Sequence, residues 1–285
     1  MSTPTIPIRV LTHNIRHGGS DLFKGELPWD ERKELLLNEF EYETRYCDES
    51  FICLQEVLHE QVGDVVAGLN QDIYPGASGW AYIGVGRDDG QEAGEYSPIF
   101  YRPSVWLLGH WETVWLSETP NIPSKSWDAA SIRIVTIGIF RHRKSGNAVL
   151  AMNTHLDNEG SRSRLEAARI ILKKVQELKN SDLVSGIFLA GDLNSEENQE
   201  AYQELTSSLL DAYKQVPSSH RFGDSITWTG FGYEDEPRSR IDYVLVSQES
   251  SRQKLKVAGY AVLPNQFDNS VLSSDHRAVV ADLIL

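Results

Sequence analysis

The run Ile187-Phe188-Leu189-Ala190-Gly191-Asp192-Leu193-Asn194 carries four apolar residues into a carboxylate and a carboxamide that stand one residue apart. A short β-rich segment cannot hide an unpaired Asp in its core, so Asp192 and Asn194 belong where a strand emerges at a sheet edge. That is where α/β proteins keep their chemistry.

The same pattern recurs along the chain. Apolar, β-branched runs predict strands at Ile8 to Ile15, Phe51 to Leu54, Ile99 to Tyr101, Ile132 to Phe140 and Ala148 to Asn153. Further strands are predicted at Ile187 to Ala190, Ile241 to Val246, Leu255 to Val262 and Ala278 to Leu283. Several of these runs end in acids, amides or histidines: Asn14, Gln55-Glu56, Asn153 with His155 and Asp157, Asp192 with Asn194, Asp242, and Asp275-His276. Singly, each has a local explanation, such as Asn14 capping a turn, or Glu56 or Asp192 capping the helix that follows. Jointly they resemble the ligand set of a hard cation plus acid/base groups, because Mg²⁺ takes one or two carboxylates, water and substrate phosphate oxygens.

Helical spacing appears between the strands. Ala168, Ile171, Leu172, Val175 and Leu178 follow an amphipathic period; Val62, Val65 and Leu69 mark a second helix and Tyr202, Leu205 and Leu209 a third. Asp30, before ERKELLLNEF, reads as the N-cap of a fourth. From Trp80 to Met152 the chain is almost all strand and loop, so a strict βαβ repeat fails and a mixed-sheet α/β sandwich fits better.

At 285 residues and 40% hydrophobic content the chain can bury a large core, and no linker tract or repeat divides it, so residues 1–285 read as one domain. The polar stretches Gly86 to Tyr96 and Gly230 to Arg240 read as long functional loops. The opening MSTPTIPIRV lacks a basic n-region and an apolar h-region, and no segment is apolar for long enough to span a bilayer, which predicts a cytoplasmic protein. Cys47 and Cys53 are too close together for a disulfide framework and read as core thiols. A formal net charge of −14 works against nonspecific polyanion binding, which draws on Lys and Arg to release counterions.

Other chemistries lack their motifs. The chain has no Gly-x-Ser-x-Gly elbow, no Walker loop, no His-Glu-x-x-His and no Cys-x-x-Cys, and the glycines of GVGRDDG are wrongly spaced for a dinucleotide site. His13 and His17 have helical ligand spacing but flank a strand end, where that spacing does not share a face, so His13 reads as structural.

THNI, LQEV, GEYSPIFY, NTHLD, GDLN, RIDYV and SDH resemble, in order and along nearly the whole chain, the motifs of the endonuclease/exonuclease/phosphatase superfamily. Deoxyribonuclease I, exonuclease III, deadenylases, inositol polyphosphate phosphatases and neutral sphingomyelinases are members. With SPIFYR and KSWDAA, the chain looks most like a microbial hydrolase branch of unassigned substrate. The resemblance implies a four-layer α/β sandwich, two packed mixed β-sheets flanked by helices, with the site at one end.

It also implies roles. Glu56 matches the principal metal carboxylate, Asn14 a neighbouring amide that helps hold metal or substrate, and Asp275 a further acid beside Mg²⁺ or Mn²⁺. Asp192 would orient the attacking water or contact metal, Asn194 would hold a phosphate oxygen, and His276 would be the base or proton carrier, oriented by Asp242. His155 would contact phosphate or the leaving group, and Glu95 resembles the acid that partners this histidine in the deoxyribonuclease I branch; its alternative is a solvated loop acid. Arg133 stands where related proteins place a phosphate-facing arginine, with a strand-edge charge as the alternative. Asn153 is a further candidate substrate contact, and Trp127 and Trp228 are candidate stacking walls or simply packed rings. The resulting expectation is a metal-dependent phosphoesterase acting on a small phosphorylated metabolite or nucleotide. A DNA or RNA nuclease is the enzymatic alternative, and a noncatalytic binding domain the alternative of another class.

Overall fold

Odd and even residues of each strand face opposite ways, and here the two sets bury against different layers. In β1 (Pro7–Asn14), Ile8 and Val10 enter one apolar cluster and Leu11 another; in β2 (Phe51–Gln55), Phe51 and Cys53 enter the first and Ile52 and Leu54 the second. The computed structural model describes residues 5–71, 79–179, 184–233, 237–250 and 252–285. The start of the MSTPTIPIRV segment and the middle of the Gly230 to Arg240 loop lie outside the described residues.

Two mixed sheets pack face to face. The remaining strands are β3 (Ala81–Ile83), β4 (Ile99–Tyr101), β5 (Trp106–Trp115), β6 (Ile134–His142), β7 (Ala148–His155), β8 (Val184–Asp192), β9 (Leu209–Asp211), β10 (Arg221–Gly223), β11 (Asp242–Ser247), β12 (Lys256–Val262) and β13 (Val279–Ile284). Seven strands run in the order β10-β12-β13-β1-β2-β4-β3 and six in the order β5-β6-β7-β8-β11-β9. Between the sheets lie Val10, Phe51, Phe140, Val149, Phe188, Val244 and Val279. Helices α1 (Trp29–Thr44) and α2 (His59–Gln71) cover the outer face of the first sheet through Leu36, Phe40, Val62 and Val65. On the second sheet, α3 (Ser161–Leu178) and α4 (Glu200–Thr206) do so through Ala168, Ile171, Val175 and Leu205; the short α5 is Ala212–Gln215. The architecture is thus the four-layer α/β sandwich of two packed mixed sheets.

All nine predicted strands form. Four others were not expected, and each lacks the sequence signal for a physical reason. Strands β3, β9 and β10 have three residues each, too few to show a period, and β5 is an edge strand whose alternation is broken by a register shift between Leu108 and His110. Asp30 is not the N-cap: α1 begins at Trp29 after Pro28, and the Asp30 carboxylate instead accepts from Lys33 at 2.7 Å. Cys53 is a core thiol, but Cys47 is only partly buried.

Candidate active site

The inward rows that build the core continue past it and become polar. In β1 the row Ile8, Val10 runs on to Thr12 and Asn14; in β7 Val149 and Ala151 run on to Asn153 and His155; in β8 Phe188 and Ala190 run on to Asp192; and in β11 Val246 and Val244 run back to Asp242. Register does the rest, because His155 lies opposite Asp192, and Asp192 opposite Asp242. A belt separates core from site. Gln55 donates to Thr12 Oγ1 at 2.9 Å and to Asn153 Oδ1 at 2.7 Å, and Asn153 spends its amide on the carbonyls of Leu54 and Pro98, each at 2.8 Å. Asn153, expected at the substrate, is instead a fully buried tie between the sheets.

Three turns aim the remaining groups. Gly191 has φ +142° and a Cβ there would lie 2.0 Å from the Thr154 carbonyl oxygen, so only glycine lets β8 approach β7 at the point where Asp192 begins the site. Asn194 (φ +44°), Glu56 (φ +60°) and Arg16 (φ +58°) are three of the described non-glycine residues with left-handed backbone, a conformation that costs about 1–3 kcal/mol and persists where the surroundings impose it. Strand alternation alone would turn Glu56 out of the sandwich; the left-handed turn brings its carboxylate to Asn14 Nδ2 at 3.0 Å.

Asn14 joins the acids. Its amide also donates to Asp192 Oδ2 at 3.0 Å, while its oxygen accepts from the Arg16 backbone N–H at 3.1 Å. As oriented, Asn14 holds two carboxylates together and does not offer its oxygen to a cation. Glu56 further accepts from Arg16 Nη1 at 3.4 Å and from the His17 backbone at 3.3 Å. Burial raises the Glu56 carboxyl, but the Asn14 hydrogen bond, Arg16 and the charge of His276 together outweigh it and hold the group well below the usual carboxylate range. Asp275 is raised, chiefly by burial and further by Glu56, with His276 opposing.

Two histidine-acid pairs face this centre. His276 Nδ1 lies 2.8 Å from Asp242 Oδ2 and its Nε2 3.7 Å from Asp192 Oδ2. Burial lowers His276, yet Asp242 and Asp192 raise it well above an ordinary histidine. Asp192 is pushed up to about 7 by burial and by the charge of Asp242. His155 differs. Asn194 Nδ2, whose other hydrogen goes to the Leu156 carbonyl, donates to His155 Nε2 at 3.0 Å, so this nitrogen serves as a lone-pair acceptor. Its Nδ1 stands 3.8 Å from Glu95, beyond hydrogen-bond reach, and burial and Arg133 lower it well below an ordinary histidine.

Glu95 is taken up by arginines. Arg87 Nη1 donates to it at 2.6 Å, and Arg133 Nη1 lies 3.6 Å away. Arg133 is itself buried between Glu95, Asp157 and Asn158, to which it donates at 3.1 Å. Asn194, expected to hold a phosphate oxygen, has both amide hydrogens committed in this arrangement. Trp228, half-buried, is bridged through its backbone to His276, whereas Trp127 sits beside Asp128 at the start of α3, with no ring or hydrogen-bond contact to the acid-histidine cluster among the described residues.

Several supports escaped the sequence reading. Arg32 is fully buried and donates to the carbonyls of Leu27, Ile15 and Ser273, binding the loop after β1 to the turn that carries Asp275. The signal was present: Arg32, Leu36, Phe40 and Thr44 form one buried stripe at spacing four, and Arg32 reads as a surface charge only if taken alone. Glu26, Arg16 and Arg87 lie in loops, where no period marks them. His13, read as structural, places Nδ1 3.0 Å from Glu39 and Nε2 3.1 Å from the His276 carbonyl, anchoring the His276 turn to α1.

An oxygen-rich centre suits a hard divalent cation. Glu56 and Asp275 are neighbouring carboxylates that share Arg16 and His276 as counter-charges. Asp192, Asp242 and His276 also place one ligand atom each within 4.8 Å of one another, a second possible metal cluster; the hydrogen bond from His276 to Asp242 already satisfies part of it.

Solved structures share this arrangement of layers. An endonuclease/exonuclease/phosphatase family protein from Bacteroides thetaiotaomicron is 30% identical, with 100% of this chain and 97% of that one covered and a TM-score of 0.85. A mannosyl-6-phosphatase from the same organism is 31% identical over 98% of this chain and 100% of that one, with a TM-score of 0.82. TDP2 of D. rerio, solved with a single-strand DNA product, is 18% identical over 97% and 98% with a TM-score of 0.70, which speaks for the fold alone. Among curated proteins, no match was found. The Endonuclease/Exonuclease/phosphatase family model matches residues 11–276, from the middle of β1 to His276 itself, and the chain therefore belongs to that family.

Proposed function

We propose that the chain is a Mg²⁺- or Mn²⁺-dependent phosphoesterase that hydrolyses a small phosphorylated metabolite or nucleotide by in-line attack of water. The observation that carries this reading is the joining of Asp192, Asp242 and His276 into one buried cluster, tied through Asn14 to Glu56. A noncatalytic scaffold has no use for such a set of strained and buried charges.

Glu56 and Asp275 would hold the cation, with Asp192 alongside. When bound, the metal supplies charge stabilisation to the phosphoryl group. Asp192, pushed up to about 7, is matched to take a proton from water near neutral pH. His276, kept cationic by Asp242, faces Asp192 and would stabilise its charge and the charge growing on the phosphoryl oxygens. On this reading His276, expected as the base or proton carrier, carries the proton and Asp192 takes the one from water. His155, a neutral imidazole, would orient Asn194 and contact phosphate or the leaving group.

Similarity to a mannosyl-6-phosphatase over the whole chain favours a sugar phosphate within the small-molecule class. The excess of 41 Asp and Glu over 27 Lys and Arg supports the same choice against a long polyanion. The test is phosphate release from sugar phosphates, nucleotides, oligonucleotides and phospholipids before and after chelation. Hydrolysis of a small phosphoester that stops in chelator and returns with Mg²⁺ or Mn²⁺ is expected. Full turnover in chelator with metal verified absent would remove the metal from the account.

A further inference from the structure

Two loops meet at the Glu56 end of the site. The first runs from Arg16 to Pro28: its Phe23 ring lies 4.4 Å from the Arg16 guanidinium, which itself reaches Glu56 at 3.4 Å, and Glu26 receives both Arg16 Nε and the Phe23 backbone N–H. The second leaves the Asp275 turn, whose carbonyl accepts from Thr229 at 2.8 Å and Gly230 at 3.1 Å, and carries Tyr233. The loops touch at Gly25. With φ +89°, a Cβ there would stand 2.6 Å from the Tyr233 ring and 2.9 Å from the Phe231 carbonyl, so the residue must be glycine for the loops to close. Lys24 Nζ lies 4.4 Å from the Tyr233 ring and has no carboxylate partner among the described residues.

Each ring is thus backed by a cation, yet Phe23 is 55% and Tyr233 59% exposed. Large aromatic surface left in water costs free energy, and rings backed by cations beside a catalytic centre are suited to receive a ligand. Ser20 and Asp21, both exposed on the first loop, offer acceptors for hydroxyl groups. An apolar platform, hydroxyl acceptors and an ammonium without a carboxylate partner among the described residues fit a pyranose bearing a single phosphate better than a polyanion.

We propose that Phe23 and Tyr233 form a carbohydrate subsite that receives the leaving-group sugar, with Lys24 attracting its phosphate. The inference rests on the phosphoesterase reading above and names the recognition element within it. The ligand is a pyranose phosphomonoester, whether free or at the end of a glycan.

The experiment measures steady-state kinetics of the metal-loaded chain with mannose 6-phosphate, 6-phosphomannobiose, ethyl phosphate and a 3′-phosphorylated oligonucleotide. Phe23→Ala and Tyr233→Ala should each lower the specificity constant for a sugar phosphate about tenfold relative to that for ethyl phosphate, through KM and not kcat. Phe23→Tyr and Tyr233→Phe should restore it, and the larger loss between the two sugar arms identifies the source. A sugar-to-ethyl ratio unchanged in both alanine variants overturns the subsite while leaving the phosphoesterase intact. Loss confined to the oligonucleotide overturns it in favour of a base platform. No turnover of any phosphoester by the wild type removes the underlying reading and the subsite with it.

Discussion

His276 and His155 stand on opposite sides of Asp192, each with an acid at its Nδ1, and their environments drive them apart. Asp242 sits 2.8 Å from His276 and has no other ion-pair partner among the described residues, so the pair behaves as one charged unit. Glu95 sits 3.8 Å from His155 and is drawn off by Arg87 and Arg133, whose positive charge also discourages a proton on His155. Similar residue types therefore give an imidazolium on one side and a neutral acceptor on the other. The neighbours of the acid, more than the acid itself, assign the role.

The largest expected effect separates the two sides by rate. Asp242→Asn should lower kcat by about 10³-fold through loss of the His276 charge and tautomer, whereas Glu95→Gln should cost about tenfold or less. Adding His276→Ala to Asp242→Asn should change little, because residues acting as a unit are not additive. Equal losses at Asp242 and Glu95, measured as single-turnover rates, would dissolve the contrast.

A second variant sharpens it. Arg87→Gln should release Glu95 toward His155 and raise the histidine's proton affinity, visible as an upward shift of its titration. No shift would mean that Arg133 and burial alone set His155.

Asp192 tests the contrast through stability. Its folded-state carboxyl is raised to about 7 from an ordinary aspartate, so the native chain binds its proton more tightly than the unfolded one. Stability from this group is full at low pH and is lost as pH rises from about 4 through about 7. In metal-free protein, Asp192→Asn should therefore raise the unfolding free energy at pH 8, on the order of 1–3 kcal/mol, and leave it nearly unchanged at pH 4. Denaturant melts at the two pH values check the sign. The smallest expected effect is that of salt: competition between an oligonucleotide and a small phosphoester should show a nearly flat salt series, against the slope of about −0.7 to −0.9 per neutralised phosphate that a nuclease gives.

How far the sequence reaches differs between the two sides as well. Strand-end positions such as Asn14, His155, Asp192 and Asp242 announce themselves because a period-two apolar row ends in a polar residue. The Asp242–His276 partnership was legible from motif order, and its geometry comes from the isolated bridges of Trp228 to Ser239 and to His276, which bring the His276 turn to the start of β11. The fate of Glu95 was not legible, since it depends on Arg87, eight residues earlier in a loop without period, and on Arg133 from across the sheet. Asn153 misled for the opposite reason: it belongs to the same polar row, and only the inter-sheet contacts reveal it as a buried tie. Strand β5, ten residues at the edge of its sheet, was missed because its exposed edge carries residues of either kind on both faces.

The most direct test of the two-sided site is an NMR titration of the His276 and His155 imidazoles in metal-free and metal-loaded protein, assigned through His276→Gln and His155→Gln. The account predicts that in the metal-free chain His276 stays protonated well above pH 6.5 while His155 stays neutral well below it, with Asp242→Asn moving the first down and leaving the second in place. Two histidines titrating together near their ordinary value, or a cationic His155 beside a neutral His276, would contradict it.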